Sequence, residues 1–196
     1  MTTTQKLLHD LHSGGKISLL NEEEAGKFGA GRVTQIDLRN GYNVQYTGPV
    51  YMGDPLQGSA DGRFIYDTGS GFLTATSAQC FVGCETRVYD PNASTTCNRT
   101  EAFNATLPYG SANLTGTFMK DRACLPSAGN DLCADNFTLF AISSAQGLEG
   151  LDGILGFSPV ITDEPMVNNT NIVRGLFEAG LIDSEVATFQ LNGENV

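Results

Sequence analysis

Short runs of β-branched and aromatic residues fill the chain between Gly41 and Phe140, and turn-forming residues separate them. Branched and planar side chains favour strands because they fit a pleated surface, whereas Gly, Pro, Asn and Asp interrupt strands. The runs are YNVQYTGPVYMG, RFIYD, GFLTAT, RVYDPNAS, NLTGTFM and FTLFAIS. This pattern predicts an all-β fold.

One or two short helices accompany the predicted strands. LLHDLH near the N-terminus is a possible short helix, and NNTNIVRGLFEAGLI predicts a second one that packs on the sheet. Its apolar residues recur near helical spacing, and Gly180 is a candidate for its end. These apolar residues are Ile172, Leu176, Phe177 and Leu181. The final VATFQL predicts one more strand.

The texture of the chain predicts two segments. The first 40 residues are polar and glycine-rich, which predicts a leader or loosely packed segment at 1–40. Residues 41–196 then form a single domain, since all-β domains often reach this size. No stretch at Met1 has the apolar core of a secretory signal, and the last predicted strand stops almost at Val196. We therefore expect the chain to be part of a longer protein.

Charge and composition disfavour several classes of partner. A net charge of −11 and a pI near 4.4 disfavour binding to nucleic acid or to an anionic membrane, both of which need a basic face. No apolar run approaches the roughly 20 residues of a membrane span. His9 and His12 lack a third ligand nearby, and no phosphate-binding loop is present in the sequence, so we predict no metal and no cofactor.

Two features favour a secreted or a vacuolar (lysosomal) protein. Six N-x-[ST] sequons occur where composition alone would yield roughly two, so they are candidate glycosylation sites. They begin at Asn92, Asn98, Asn104, Asn113, Asn136 and Asn168. Five cysteines at short spacings favour local disulfides.

The preferred cysteine pairing joins Cys80 to Cys84 and Cys124 to Cys133, leaving Cys97 free. Each bridge would close a short loop. Pairing of Cys97 with Cys84 and five reduced thiols are the alternatives.

Asp67 follows the apolar strand RFIY directly and opens the turn DTGS. Burying an ionised carboxylate costs several kcal/mol unless partners hydrogen-bond it. Thr68 and Ser70 supply hydroxyls, and Gly69 tolerates the backbone angles of a tight turn. A lone D-T-G also occurs as an ordinary surface turn, so the tripeptide alone does not establish a catalytic aspartate.

The surrounding motifs resemble, in order from about Ile36 to Leu191, the N-terminal lobe of the pepsin-like aspartic proteases. They are YTGPVYMGDPLQ, FIYDTGSGFL, CFVGC with YDPNAS, LPYGSANLTGTF, LDGILGF, and LFEAGLI with ATFQL. The resemblance implies a single pepsin-like lobe. It also implies an aspartic endopeptidase that binds an extended peptide or protein substrate and hydrolyses it with a water held between two carboxylates that share one proton.

The resemblance assigns roles to individual residues. Asp67 would be one of the two catalytic aspartates, and Ser70 would hydrogen-bond its carboxylate. Asp152 in LDGIL would be structural. Thr68 and Gly69 would support the active-site loop. The flap hairpin would hold the substrate through Tyr109, Gly110 and Ser111.

The sequence departs from the family pattern in several places. Thr74 stands where the family often has Trp, and Gly71 where Ser is common. Asn113 places a sequon near the flap tip, where a glycan is expected to crowd the cleft. Above all, the chain contains one D-[TS]-G, so the C-terminal lobe with the second aspartate is absent.

These departures leave two alternatives to the N-terminal lobe of a two-lobed protease. One is a homodimer in which two copies of Asp67 form the catalytic pair, as in retroviral-type proteases. The other is a non-catalytic module that binds a peptide or protein through its cleft.

Overall fold

The computed structural model describes residues 15–18, 34–42, 44–127, 130–158 and 168–191. Within these ranges the chain forms twelve strands and one short helix, so the predicted all-β fold is confirmed. The first strands are β1 (Gly15–Ser18), β2 (Gln35–Gly41), β3 (Gln45–Gly48), β4 (Tyr51–Met52), β5 (Gln57–Gly58), β6 (Phe64–Asp67) and β7 (Leu73–Thr76). They are followed by β8 (Asn98–Pro108), β9 (Asn113–Leu125), β10 (Leu132–Gln146), β11 (Gly153–Gly156), helix α1 (Ile172–Glu178) and β12 (Thr188–Leu191).

The described strands join in one mixed sheet. Their order is β12-β1-β2-β3-β6-β11-β7-β10-β9-β4-β5, and β8 pairs with β9 outside this path. Most pairs are antiparallel, but β6 with β11 and β7 with β10 are parallel. The consequence for the site is that β11, distant in sequence, lies between β6 and β7 and borders the loop that joins them.

A long hairpin of β8 and β9 extends from the sheet. Its ladder runs from Phe103 opposite Phe118 to Pro108 opposite Asn113, and the turn between the strands carries Tyr109. Residues on one face of β8 alternate with residues on the other, because successive side chains of a strand point to opposite sides. This hairpin contains the segment for which the sequence predicts a flap.

The two disulfides have the predicted pairing. Cys80 is bonded to Cys84, and Cys124 is bonded to Cys133, which lies directly opposite in the β9–β10 ladder. Cys97 is free and half-buried against the core. Each bridge joins positions that the sheet or a tight turn already holds close together.

The sheet encloses two groups of buried apolar side chains. The larger one packs Phe64, Leu73 and Leu155 from the strands around the site with residues of α1 and the N-terminal strands. The smaller one lies beneath the β8–β9 hairpin and includes Leu114 and Phe118. The hairpin is therefore seated on a core of its own next to the loop that follows β6.

Helix α1 forms inside the predicted stretch. The Asn171 side chain caps its first turn by accepting a hydrogen bond from the Arg174 amide, and Gly180 follows its end at φ +67°. Ile172 and Leu176 are buried as predicted, but Phe177 is 43% exposed. Because adjacent helical residues are about 100° apart, Phe177 lies beyond the narrow face that so short a helix buries.

Two pieces of the predicted N-terminal segment 1–40 lie in the sheet. β1 pairs with both β12 and β2, and β2 continues the sheet to β3. Ile17, Ile36 and Leu38 are buried in the main core. The segment boundary at residue 41 stays a prediction. LLHDLH, with His9 and His12, lies outside the described residues.

No helix in the described part of the chain has the length and hydropathy of a membrane span.

Candidate active site

Asp67 is the last residue of β6, and the neighbouring strand fixes its backbone. The Phe157 amide donates to the Asp67 carbonyl oxygen at 2.8 Å, directly after the parallel pair Gly156 and Asp67. The Gly69 amide donates to Asp67 Oδ1 at 2.9 Å. This backbone donor partly satisfies the carboxylate. Asp67 is half-buried, so the rest of the group remains accessible to solvent.

The loop after Asp67 is laid against the end of β11. The Ser158 amide donates to the Ser70 carbonyl oxygen at 2.9 Å, and the Gly156 amide donates to the Phe72 carbonyl oxygen at 2.9 Å. A Cβ atom on Gly156 would lie 2.5 Å from the Ser70 carbonyl oxygen and 2.5 Å from the Phe72 amide nitrogen. Gly156 is therefore required for this close approach of two backbones.

Thr74 is fully buried where an aromatic residue is common in the resembled family. Its Oγ1 accepts a hydrogen bond from the Ile154 amide at 3.0 Å. The threonine thus ties β7 to β11 and does not reach the hairpin tip. Other residues therefore support the hairpin.

Four phenylalanines provide that support, which the sequence analysis did not identify. Phe118 of β9 is the centre of the group: its ring centroid lies 5.1 Å from Phe72, 5.0 Å from Phe103 and 4.8 Å from Phe140. Aromatic pairs at such distances contribute about 0.5–1.5 kcal/mol each beyond their buried area. Phe72 follows the DTGS turn, so the cluster joins the active-site loop to both strands of the hairpin. Alternation along NLTGTFM already places Phe118 inward, but its partners depend on the tertiary fold.

Tyr109 lies at the tip of the hairpin and turns back toward Asp67. Two backbone hydrogen bonds between Tyr109 and Ala112, of 2.7 and 3.1 Å, close the tip. The phenol oxygen is buried beside Ser70 Oγ, and neither hydroxyl has a hydrogen-bond partner among the residues that the structure describes. Burial raises the pKa of the Tyr109 phenol to about 12; the Ser70 hydroxyl opposes this rise and the charge of Asp67 adds to it.

The expected hydrogen bond from Ser70 to the Asp67 carboxylate is not formed in this structure. The Gly69 amide occupies Oδ1 instead, and the backbone bond to Ser158 holds Ser70 so that its hydroxyl neighbours Tyr109. Thr68 and Gly69 are exposed in the same turn, while Gly110 and Ser111 are exposed at the hairpin tip. The structure thus brings Tyr109 to Ser70 and Asp67.

The raised pKa of Tyr109 predicts a loss of stability at alkaline pH. The unfolded phenol ionises near its ordinary pKa of about 10, whereas the folded one resists ionisation up to about 12. The contribution of this phenol to the stability of the fold is therefore fully present below about pH 10 and is lost as the pH rises to about 12. Tyr109→Phe cannot ionise and should lose less stability, measured as the thermal midpoint by circular dichroism from pH 9 to 12. Parallel curves for the two proteins would contradict the buried position of Tyr109.

Asp152 lies at the other end of β11 and is fully buried. Its Oδ1 accepts from Thr86 Oγ1 at 2.8 Å and pairs with the Arg63 guanidinium at 3.2 Å, while its Oδ2 accepts from the Arg63 amide at 3.3 Å. All these partners belong to segments that flank the strands of the sheet. They are those of a structural carboxylate that secures β11 against β6 and the 84–88 loop.

A groove of about 380 Å³ lies beside the Asp67 turn. Thr68 borders it, together with Phe157 after β11, Val173 of α1 and Phe189 of β12. A larger groove of about 570 Å³ lies between β2 and the turn at 60–62, and no predicted site residue lines it. The smaller groove is the one of these two that lies next to Asp67. Among the described residues, no group of three or more potential ligands could hold a metal ion.

Comparison with known proteins agrees with this geometry. Residues 45–196 match the model of the eukaryotic aspartyl protease family. Over 88 residues, 44% of this chain, the sequence is 39% identical to plasmepsin I of Plasmodium falciparum. Over 165 residues, 80% of this chain, it is 27% identical to aspartic proteinase A2 of Arabidopsis thaliana, and over 166 residues it is 28% identical to phytepsin of Hordeum vulgare. The chain belongs to the eukaryotic aspartyl protease family.

The matched regions represent only part of these relatives. They span 19% of the length of plasmepsin I and 30% of the length of each of the two plant proteins. The comparisons therefore identify the family and its pepsin-like lobe, and they do not extend to the activity of a whole protein.

Proposed function

We propose that this chain is the N-terminal catalytic lobe of an aspartic endopeptidase that cleaves extended peptide substrates. The observation that carries the proposal is the convergence of the Asp67 turn and the Tyr109 hairpin tip. These two elements are separated in sequence, and they leave a half-buried carboxylate beneath an aromatic flap. The relatives named above support the same class of chemistry.

In the proposed mechanism Asp67 supplies one of two carboxylates. A second lobe docks beside Thr68, against the groove that includes Phe157 and Phe189, and brings an aspartate close to Asp67. Two carboxylates that lie so close together cannot both ionise readily, so they share one proton. The ionised one takes a proton from the attacking water, and the protonated one donates to the carbonyl oxygen of the peptide bond.

The hairpin tip holds the substrate in this proposal. Tyr109 closes over the peptide, and the exposed backbone of Gly110 and Ser111 pairs with it as an added strand would. Thr68 and Gly69 keep the carboxylate in place from below. Alternative roles are a homodimer built on two copies of Asp67 and a non-catalytic peptide-binding module. Thr74 favours the latter, because it leaves Tyr109 without the indole partner common in the family.

Sequons and disulfides together support a secreted or vacuolar location. The disulfides Cys80–Cys84 and Cys124–Cys133 are typical of oxidising compartments. The six sequons are consistent with passage through the secretory route.

The test is peptide hydrolysis by the full-length protein, with both lobes, across acid and neutral pH. We expect hydrolysis that is fastest in acid and is blocked by a transition-state mimic of the aspartic class. Hydrolysis by the present chain alone, rising with the square of its concentration when dilute, would establish the homodimer. Saturable peptide binding without turnover would instead establish the non-catalytic module.

A further inference from the structure

The β8–β9 hairpin has two chemically different faces. Side chains of the inward face pack on the core cluster beneath the hairpin: Phe103, Leu107, Leu114 and Phe118. The outward face alternates with them and carries polar residues: Asn104, Thr106, Asn113, Thr115 and Thr117. All of the outward residues except the half-buried Thr117 are exposed. The outward face is therefore a small polar surface on the outside of the flap.

Two sequons occupy this one surface. Asn104-Ala105-Thr106 lies on β8, and Asn113-Leu114-Thr115 lies on β9. Because a strand repeats every two residues, each Asn shares a face with the Thr two positions on. Thr106 and Thr115 are register partners, and their hydroxyl oxygens lie 3.1 Å apart. The two acceptor motifs are thus cross-strand neighbours.

The asparagines themselves are presented for modification. Asn104 Oδ1 accepts a hydrogen bond from Thr117 Oγ1 at 2.7 Å, which orients the amide without using its Nδ2 atom. Asn113 is exposed between the buried Ala112 and Leu114, so its side chain leaves the hairpin on the side away from the core. A bulky substituent on either nitrogen extends into solvent.

We propose that Asn104 and Asn113 both carry N-linked glycans, which form a sugar layer on the outer face of the flap. In the transfer, the Asn Nδ2 atom attacks the anomeric carbon of an oligosaccharide linked to a lipid diphosphate. A C–N bond forms, the C–O bond to the diphosphate breaks, one amide proton is lost to a base, and the lipid diphosphate leaves. No oxidation or reduction takes place.

This placement changes the expected consequence of a glycan at Asn113. Tyr109 turns inward to Ser70 and Asp67 from the same hairpin tip, whereas Asn113 is on the opposite face. A glycan there covers the back of the flap and leaves the Asp67 side open. The outward face consists of hydroxyls and amides, which sugar can hydrogen-bond without burying apolar surface.

The test is site occupancy in the full-length protein secreted from a eukaryotic cell line. Enzymatic release of glycans in heavy-oxygen water converts each occupied Asn to a labelled Asp, which peptide mass mapping locates. We expect label at both Asn104 and Asn113. Absence of label at either of these two positions, whether or not other sequons are occupied, would overturn the proposal.

Matched variants separate glycosylation from folding. Thr106→Ala destroys the Asn104 sequon and should abolish its label, whereas Thr106→Ser keeps the sequon and the label. Asn104→Gln serves as the second variant if Thr106→Ala is poorly secreted. Retention of the label in Thr106→Ala would show that the mass change has another origin and would contradict the proposal.

A second readout tests the outward placement and rests on the proposed peptidase function. The double variant Asn104→Gln, Asn113→Gln should hydrolyse peptides with kcat/KM within about two-fold of the glycosylated protein, since groups that do not contact the substrate do not alter its transition state. A much larger rise would show that the glycans obstruct the cleft. Occupancy is read by mass alone, so failure of the peptidase proposal is distinguishable from failure of this one.

Discussion

We expect Asp67→Asn to lower the kcat of the proposed full-length peptidase by about 10²–10⁴-fold, the range lost when a positioned acid–base group is removed. An amide has the shape of the carboxylate but cannot take a proton from water. The Gly69 amide that donates to Oδ1 at 2.9 Å finds a carbonyl oxygen there after the substitution, so the turn is preserved. Initial rates in acid, with thermal unfolding measured in parallel, check the effect.

The control for this substitution is Asp61→Asn. Asp61 is an exposed carboxylate shortly before β6, paired only with the exposed Arg39 at 3.4 Å among the described contacts. The Asp61→Asn substitution removes the same charge from the same region. It should leave both the rate and the stability near those of the parent, since exposed ion pairs contribute roughly 0–1 kcal/mol. Full activity of the Asp67→Asn variant would contradict a catalytic role for Asp67.

Gly156→Ala destabilises the fold by about 1–3 kcal/mol, the usual cost of inserting a methyl group into a packed interior. The added Cβ would lie 2.5 Å from backbone atoms of Ser70 and Phe72, and backbone cannot move aside as a flexible side chain can. Relief of the clash requires the loop after Asp67 to shift. We therefore expect peptide hydrolysis to fall together with stability, measured by denaturant unfolding and by kcat/KM of the same preparation.

Gly110→Ala is the matched control for stability. A Cβ at Gly110 meets no atom within 4 Å, so the free energy of unfolding should stay within about 0.5 kcal/mol of the parent. Equal stabilities of the Gly156 and Gly110 variants would mean that β11 does not confine the active-site loop. In that case the position of Asp67 would have to be secured by other contacts.

Local sequence patterns predicted most of the architecture. Strand texture between Gly41 and Phe140 predicted the sheet, because branched and aromatic residues between turn formers have few other ways to bury their side chains. Short spacing predicted the two disulfides. The helix near the C-terminal end was predicted from periodicity, but Phe177 was placed on its buried face, since a pattern of apolar residues does not define how wide a face the neighbouring sheet covers.

The candidate site was predicted less completely. The DTGS turn and Tyr109 were recognised through ordered motifs, yet the hydrogen bond expected from Ser70 to Asp67 is made by the Gly69 amide. In the sequence Thr74 stands out only as a missing aromatic residue, whereas in the fold it accepts a hydrogen bond from the Ile154 amide of β11. The Gly69 bond is made within the turn itself, whereas the partner of Thr74 lies on a strand 80 residues distant. Local patterns contain no information about such a distant partner.

The sequence by itself determined the class of fold and the carboxylate at the end of an apolar strand, and it favoured the disulfide pairing, because these depend on residue types and short spacings. Only the tertiary structure decided what surrounds that carboxylate. Insertion of β11 between β6 and β7 creates the close approach at Gly156, and packing of three other phenylalanines around Phe118 joins the hairpin to the loop after Asp67. Such contacts between distant segments form only when the whole core is assembled, since their energy comes from burial that no segment achieves alone.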